Sequence, residues 1–179
     1  MSRNFYIETN RTLPIYELME ARAETFAGRG VQLLVRHPVY YFYEADSFQG
    51  VELLQEPGRI AVRTFFGASG PAYSLAGWLL RQLARITGGR ISNEAGEPLL
   101  MGLLDGDSAR FVREDVALLR VALQSGLPLQ FNSPFGPYAF DEDDLEAPLS
   151  NPDPWGALHR VLTLLKKQYA AGFAALPAG

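Results

Sequence analysis

The chain has 179 residues, of which 47% are hydrophobic and 20% are charged, and its formal net charge at pH 7 is −4. This length and composition predict one globular domain, and the negative charge argues against general binding to nucleic acid. Because the chain has no cysteine, disulfide frameworks, thiolate nucleophiles and Cys-ligated metal centres are excluded.

The first half of the chain alternates between strand-like and helical patterns. A short strand is predicted at 5–9, and Thr12 with Pro14 opens a helix. A type II turn, with Pro57 and Gly58 at its centre, joins two of the strands that follow. These strands predict an antiparallel meander over 31–36, 39–45, 51–56 and 59–66.

The clearest helical pattern lies near the middle of the chain, at 72–87. Ser69 can cap its free N–H groups, Pro71 suits its first turn, and Gly88 supplies a left-handed stop. The helical spacing places Trp78 opposite the apolar face. This helix is predicted to pack across the sheet.

The second half of the chain is less regular. A strand is predicted at 90–93, and the apolar run at 99–104 could be its hairpin partner. Asp107 or Ser108 is predicted to cap the next helix. A short edge strand is predicted at 127–131.

The remaining residues are predicted to form a loop and a final helix. The segment 132–151 is rich in Pro, Gly, Ser and acidic residues, which is typical of a loop, and Asp153 with Pro154 begins the helix. We therefore predict a single α+β domain over the whole chain. It would have a largely antiparallel sheet of about five or six strands, with about four helices packed on it.

An acidic and aromatic segment is the best candidate for a binding surface. Between Arg120 and Arg160 there is no Lys or Arg, although six acidic residues occur there. Aromatic rings can supply buried area to an interface, and carboxylates can steer a basic partner protein. The predicted partner-binding residues are Phe135, Tyr138, Phe140, Asp141, Glu142, Asp143, Asp144 and Glu146.

Two other interpretations of this segment stay open. The rings could pack into the core while the acids form a solvated turn, with Asp141 or Asp144 capping a helical turn. Alternatively, the carboxylates could gather a divalent cation, although their spacing lacks the pattern of a calcium loop.

The strand at 39–45 is aromatic on both faces. Alternation places Tyr40 and Phe42 opposite Tyr41 and Tyr43. Core packing on both sides explains this pattern, and so does a sheet that presents tyrosines to a ligand or partner. A base-stacking platform would need more neighbouring Lys or Arg, so we expect no nucleic-acid partner.

No motif for catalysis, a metal or a cofactor is found. His37 and His159 are far apart in sequence, and we expect both to be surface or capping residues. No apolar run approaches the roughly 20 residues that span a bilayer, and the N-terminus lacks a signal-peptide core, so a cytoplasmic location is expected. Two carboxylate pairs are interpreted as surface charge: Asp105 with Asp107, and Glu114 with Asp115.

The order of elements is a strand, a helix, an aromatic meander, a helix ending in L-A-R-I-T-G-G-R-I, and then short strands and helices. In this layout, and in lacking a catalytic signature, the chain resembles the small cytoplasmic immunity proteins that bacteria pair with secreted antibacterial toxins. The resemblance implies neutralisation of a cognate toxin, with 141–146 and nearby rings mimicking or blocking a basic substrate cleft. The alternatives are a small enzyme or ligand-binding domain that uses carboxylates and tyrosines, and a structural adaptor in a bacterial assembly.

Overall fold

A computed structural model describes residues 2–25, 30–44, 47–99, 103–125, 129–133, 136–140 and 142–174. The chain forms a single α+β domain built on a six-stranded antiparallel sheet, which confirms the predicted fold class. The described elements are β1 Ser2–Glu8, α1 Ile15–Thr25, β2 Val31–Arg36, β3 Val39–Glu44, β4 Val51–Glu56, β5 Arg59–Phe65, α2 Gly70–Thr87, β6 Arg90–Asn93, α3 Leu103–Gln124, β7 Leu129–Ser133, β8 Gly136–Phe140, α4 Glu142–Leu149 and α5 Pro154–Ala174.

The main sheet has the strand order β2-β3-β4-β5-β1-β6, and all of its neighbouring strands are antiparallel. Strands β2 to β5 form the predicted meander. The turn between β4 and β5 uses Gly58 at φ +74°, a conformation that glycine adopts at no steric cost. The first strand then pairs with β5, which places it inside the sheet.

Helix α2 packs across this sheet and begins and ends as predicted. The Ala72 N–H donates to the Ser69 Oγ at 3.2 Å, and Gly88 ends the helix at φ +68°. The prediction for Trp78 was wrong, because its side chain is only 5% exposed. Helices α1 and α3 also pack against α2, so the helix is covered on more sides than the sheet alone can cover.

The apolar cluster beneath α2 is called here the sheet core. It is built on buried side chains of one sheet face, such as Phe42, Leu53 and Ile60, together with those of α2. Helix α1 contributes Leu18 and α3 contributes Phe111, so all three helices lie on the same side of the sheet. The other face carries Tyr41, Glu52 and Arg63 in adjacent register positions.

A second apolar cluster, called here the second core, lies among β7, β8, α4, α5 and the end of α3. Its buried members are Phe48, Leu119, Leu129, Phe131, Phe140, Leu145, Leu158 and Leu162. Strands β7 and β8 form a separate two-stranded sheet, so the predicted edge strand at 127–131 does not join the main sheet.

The prediction of a loop at 132–151 was therefore wrong. This segment contains the end of β7, all of β8 and all of α4. Burial of Leu145 and Pro148 anchors α4, and this apolar packing outweighs the helix-breaking tendency of proline near the helix end.

The predicted hairpin partner at 99–104 is described only in part, because residues 100–102 lie outside the described residues. Ser92 makes a bridge with Pro98, and the Leu99 N–H donates to the Ile91 carbonyl at 3.0 Å, but α3 already begins at Leu103. Asp107 and Ser108 consequently lie inside the helix rather than at its cap. The helix extends further towards the N-terminus than capping rules suggest, although Gly106 and the neighbouring Asp and Ser residues are weak helix formers.

Helix α3 connects the two cores through one stripe of side chains spaced four residues apart. Phe111 packs in the sheet core, and Leu119 packs in the second core. Asp115 lies between them and is 2% exposed. A carboxylate therefore occupies the point where the two cores meet.

Candidate functional site

The acidic residues of the candidate surface lie on α4. Asp143, Asp144 and Glu146 are exposed, whereas Leu145 on the same helix is fully buried. Asp143 and Glu146 make no ion pair within the described part of the chain. The helix thus holds three carboxylates in fixed positions facing solvent, rather than on an irregular loop.

Two aromatic residues of the predicted surface, Phe140 and Tyr138, pack in or against the second core. Phe140 is 3% exposed and meets the Phe131 ring edge-on at a centroid distance of 5.2 Å. Tyr138 is half-buried, with its ring centroid 4.7 Å from that of Phe140. The prediction that Phe140 binds a partner is not supported by this burial, because the ring belongs to the second core.

Three of the predicted residues cannot be placed as side chains. Phe135 and Asp141 lie outside the described residues. Glu142 begins α4, but its side chain is not among those described. The structure therefore brings together Asp143, Asp144 and Glu146 as an exposed group, which is called here the acidic face.

A second polar group, away from the acidic face, is centred on Asp115. Its carboxylate accepts hydrogen bonds from the Tyr73 hydroxyl at 2.6 Å, from Arg3 Nη2 at 3.0 Å and from the Gly67 N–H at 3.2 Å. Arg3 also pairs with Glu114 at 3.0 Å. The expectation of surface charge was wrong for Asp115, although Glu114 is exposed as expected.

These bonds explain how a carboxylate is tolerated at this depth. Burying an unpaired charge is costly, and here three donors from β1, α2 and the turn after β5 satisfy the oxygens of Asp115. Burial, together with the hydrogen bond to Asp115, raises the pKa of Tyr73 above its ordinary value. Asp115 lies on the apolar stripe of α3, four residues from both Phe111 and Leu119. This position was the sequence signal that could have revealed Asp115 as a buried residue.

Gly67 links the same polar group to the second core. It has φ +84°, and a Cβ atom built there would lie 2.4 Å from a ring carbon of Phe131. Its N–H donates to Asp115, and its backbone accepts a hydrogen bond from His159. The turn at Gly67 therefore touches α3, β7 and α5 at a position where no larger residue fits.

A cavity of about 610 Å³ lies between the start of α2 and the first half of α5. Its lining includes Ser69 and Pro71 from α2, and Trp155, His159 and Leu164 from α5. At one side the hydroxyls of Ser47 and Ser69 lie 3.3 Å apart. No tyrosine is among the described residues that line this cavity.

His159 is half-buried rather than a surface residue, so that expectation was wrong. Burial lowers the pKa of its imidazole, and this effect outweighs the hydrogen bond to Gly67 that opposes it. The Nε2 atom is buried and has no hydrogen-bond partner. The imidazole is therefore mainly neutral at pH 7, and within the described part of the chain it makes no hydrogen bond to a serine or carboxylate side chain.

Besides Tyr73 and Asp115, a second tyrosine and carboxylate meet on the face of the sheet opposite the helices. Tyr41 donates to Glu52, Glu52 pairs with Arg63 at 3.2 Å, and Arg63 donates to the Asn4 Oδ1 at 2.8 Å. Burial and the bond to Glu52 raise the pKa of Tyr41 to about 12. This chain of contacts spans β3, β4, β5 and β1, and its carboxylate, Glu52, is only 8% exposed.

Comparison with protein-family models, with curated proteins and with solved structures gives no match. Among the described residues, no group of His, Asp or Glu side chains is arranged to hold a metal ion. None of the described helices is both long enough and apolar enough to cross a membrane. The acidic face and the cavity beside α5 are two candidate binding sites in the described part of the chain.

Proposed function

We propose that this chain is a protein-binding module whose acidic face on α4 docks a basic partner, and that the partner is a toxin that the chain neutralises as an immunity protein. The single observation that carries the proposal is the display of Asp143, Asp144 and Glu146 on a helix anchored by Leu145. Ordered carboxylates lose less conformational entropy on binding than carboxylates on a flexible loop.

Charge distribution supports the same proposal. The stretch between Arg120 and Arg160 has six acidic residues and no Lys or Arg, so its field favours a cationic surface and repels phosphate backbones. A toxin with a basic substrate cleft has such a surface. Occupation of that cleft by α4 would block substrate entry without any chemistry from this chain.

The test starts from a tagged chain used as bait in a lysate of the native organism, at about 50 and about 300 mM salt. We expect a basic protein to be retained, and to be retained less at the higher salt concentration. The triple variant Asp143→Lys, Asp144→Lys and Glu146→Lys should lose it. Its matched control reverses three exposed acids elsewhere, in Glu17→Lys, Glu20→Lys and Glu97→Lys, with the same change in net charge.

A growth assay then separates immunity from other kinds of binding. The retained protein, expressed alone in a bacterial host, should stop growth, and the wild-type chain should restore it. The acidic-face variant should fail to restore growth, while the control variant should succeed. Equal retention and equal rescue by the two triple variants would contradict the proposal. A retained protein that is harmless and belongs to a larger complex would instead identify a structural adaptor.

A second candidate function is binding of a small molecule in the cavity beside α5. Its volume of about 610 Å³ falls within the range of known ligand sites, and such sites are mainly apolar with a few polar groups. Thr163 lines the cavity, and Thr163→Trp would fill it. Compounds that raise the melting temperature of the wild type should have no effect on this variant if the cavity is their site.

A further inference from the structure

The main sheet ends differently at its two edges. At one edge β6 is short, and Pro98 and Leu99 continue the chain along it. At the other edge, β2 pairs only with β3 among the described elements. Residues 32–36 make no backbone hydrogen bond outside that ladder within the described part of the chain.

Strand β2 lacks the features that usually keep edge strands from pairing. Such edges carry Lys, inward-pointing charges, bulges or proline. The register between β2 and β3 is unbroken over six residues, and the only charged residue of β2 is Arg36 at its end. Val35 is 51% exposed. Over residues 32–36 the edge therefore offers N–H and C=O groups that pair with no other described residue, together with apolar side chains.

The sequence of residues 32–36, Q-L-L-V-R, is palindromic in polarity about Leu34. An antiparallel partner is read in reverse, so a palindromic strand is complementary to itself. Pairing about Leu34 places Leu33 opposite Val35 of the second copy. It also places Gln32 opposite Arg36, whose guanidinium can donate to the amide oxygen. Pairing about Leu33 would instead set Gln32 against Leu34, a polar residue against an apolar one.

Pairing about Leu34 also places side chains of the same kind from both copies on the same face of the joined sheet. Leu33 lies opposite the buried Phe42, so Leu33 and Val35 point to the side of the helices. Leu34 lies opposite Tyr41 and points to the other side. A twofold axis perpendicular to the sheet keeps the helices of both copies on one side, and it covers the exposed Val35 with Leu33 of the second copy.

We propose that β2 pairs antiparallel with β2 of a second copy of this chain, about a twofold axis at Leu34, and so joins the two sheets into one. The partner is a second copy because the palindromic pattern complements itself and would serve no purpose for an unrelated strand. This dimer is independent of the acidic face, which lies on α4.

The absence of cysteine makes a sharp test possible, because one introduced thiol reports one contact. In the proposed dimer the Cβ atoms of two Leu34→Cys residues would lie about 4.5–5.5 Å apart, close to the spacing that a disulfide needs. Mild oxidation should cross-link this variant about tenfold faster than Tyr16→Cys, or faster still. Tyr16 is the control because it is 89% exposed on α1, outside β2.

Sedimentation of the unmodified chain provides the second measurement. Two short strands bury a small interface, so we expect a monomer–dimer equilibrium between about 10 and about 300 μM. Val35→Lys should raise the dimer dissociation constant about tenfold, because it places a charge on the edge strand. The variant should still fold, because Val35 is exposed. A monomer throughout this range would overturn the proposal. So would equal cross-linking of the two cysteine variants, or cross-linking of Leu34→Cys only to another protein.

Discussion

The two cores of this domain are built in different ways. The sheet core draws almost all of its members from residues 5–91, with Phe111 as the late addition, and it is dominated by aliphatic side chains under α2. The second core combines Phe48 with residues 119–162, and phenylalanine rings form its centre. The first core is thus made by consecutive elements, whereas the second is assembled from Phe48, with Phe66 packed against it, and the late part of the chain.

This difference indicates where single substitutions should reduce the stability of the domain most. Each core has its own apolar packing, but the contacts between them include a small polar group around Asp115 and the turn at Gly67. Apolar packing tolerates substitutions that conserve volume, while a buried charge network depends on each partner. We therefore expect the junction to be more sensitive to single changes than its small size suggests.

The largest effect is expected for Asp115→Ala, which removes the acceptor shared by Arg3, Tyr73 and Gly67. Breaking a buried ion pair by deleting one partner costs about 3–5 kcal/mol of unfolding free energy. Urea denaturation followed by circular dichroism measures it. Glu114→Ala is the control, because Glu114 contacts the same Arg3 from an exposed position and should cost less than about 1 kcal/mol. Equal losses for the two variants would show that Asp115 does not hold the junction.

A smaller effect is expected for Gly67→Ala, which breaks the junction sterically. Left-handed backbone costs alanine about 1–2 kcal/mol, and crowding against Phe131 adds about 1–3 kcal/mol. Gly58→Ala is the matched control, since its φ is also positive but a Cβ there would meet no atom within 4 Å. The difference in unfolding free energy between the two variants isolates the packing cost. If they lost the same amount, the contact with the second core would contribute nothing.

The smallest effect is a pH dependence that originates at His159 on the second-core side of the junction. Its pKa is lowered in the folded state, so the unfolded chain binds the proton more readily once the pH falls through the unfolded value of about 6.5. Stability should therefore decrease between about pH 7 and pH 5, by at most about 1.4 kcal/mol for each unit of pKa lowering.

Two variants assign this pH dependence. His159→Asn keeps a donor for the Gly67 backbone but cannot titrate, so its melting temperature should change less over the same pH range. His37→Asn replaces the other histidine, which is exposed, and should keep the wild-type slope. If the slope stays in His159→Asn, another group causes it.

The predictable part of the fold is the part with local signals. Strict alternation, the turn at Gly58 and the caps at Ser69 and Gly88 identify the meander and α2, because each signal lies within a few residues of the element it defines. The position of Trp78 was not predictable in the same way, since α1 and α3 cover the side of α2 that periodicity assigns to solvent. Burial by distant elements leaves no trace in local spacing.

The acidic residues of the candidate site could be predicted from the sequence, but the helix that carries them could not. The acidic residues at 143, 144 and 146 were identified, yet the segment was expected to be a loop because Pro148 and the neighbouring Pro and Gly residues are typical of loops. Leu145 and Phe140 are buried only because β7 and α5 supply a core for them. Asp115 could be found only by noting a carboxylate on an apolar stripe, a signal that becomes meaningful once Arg3 and Tyr73 are brought to it.

The chain has two tryptophans, and each of them belongs to a different core. Trp78 is buried on α2, and Trp155 at the start of α5 packs against the second core. Intrinsic fluorescence is therefore divided between two natural reporters, with no label needed. When the domain unfolds cooperatively, the emission of both indoles shifts together; when the junction loosens first, the Trp155 emission shifts while that of Trp78 keeps its native wavelength. The spectrum of this protein thus records whether its two cores behave as one.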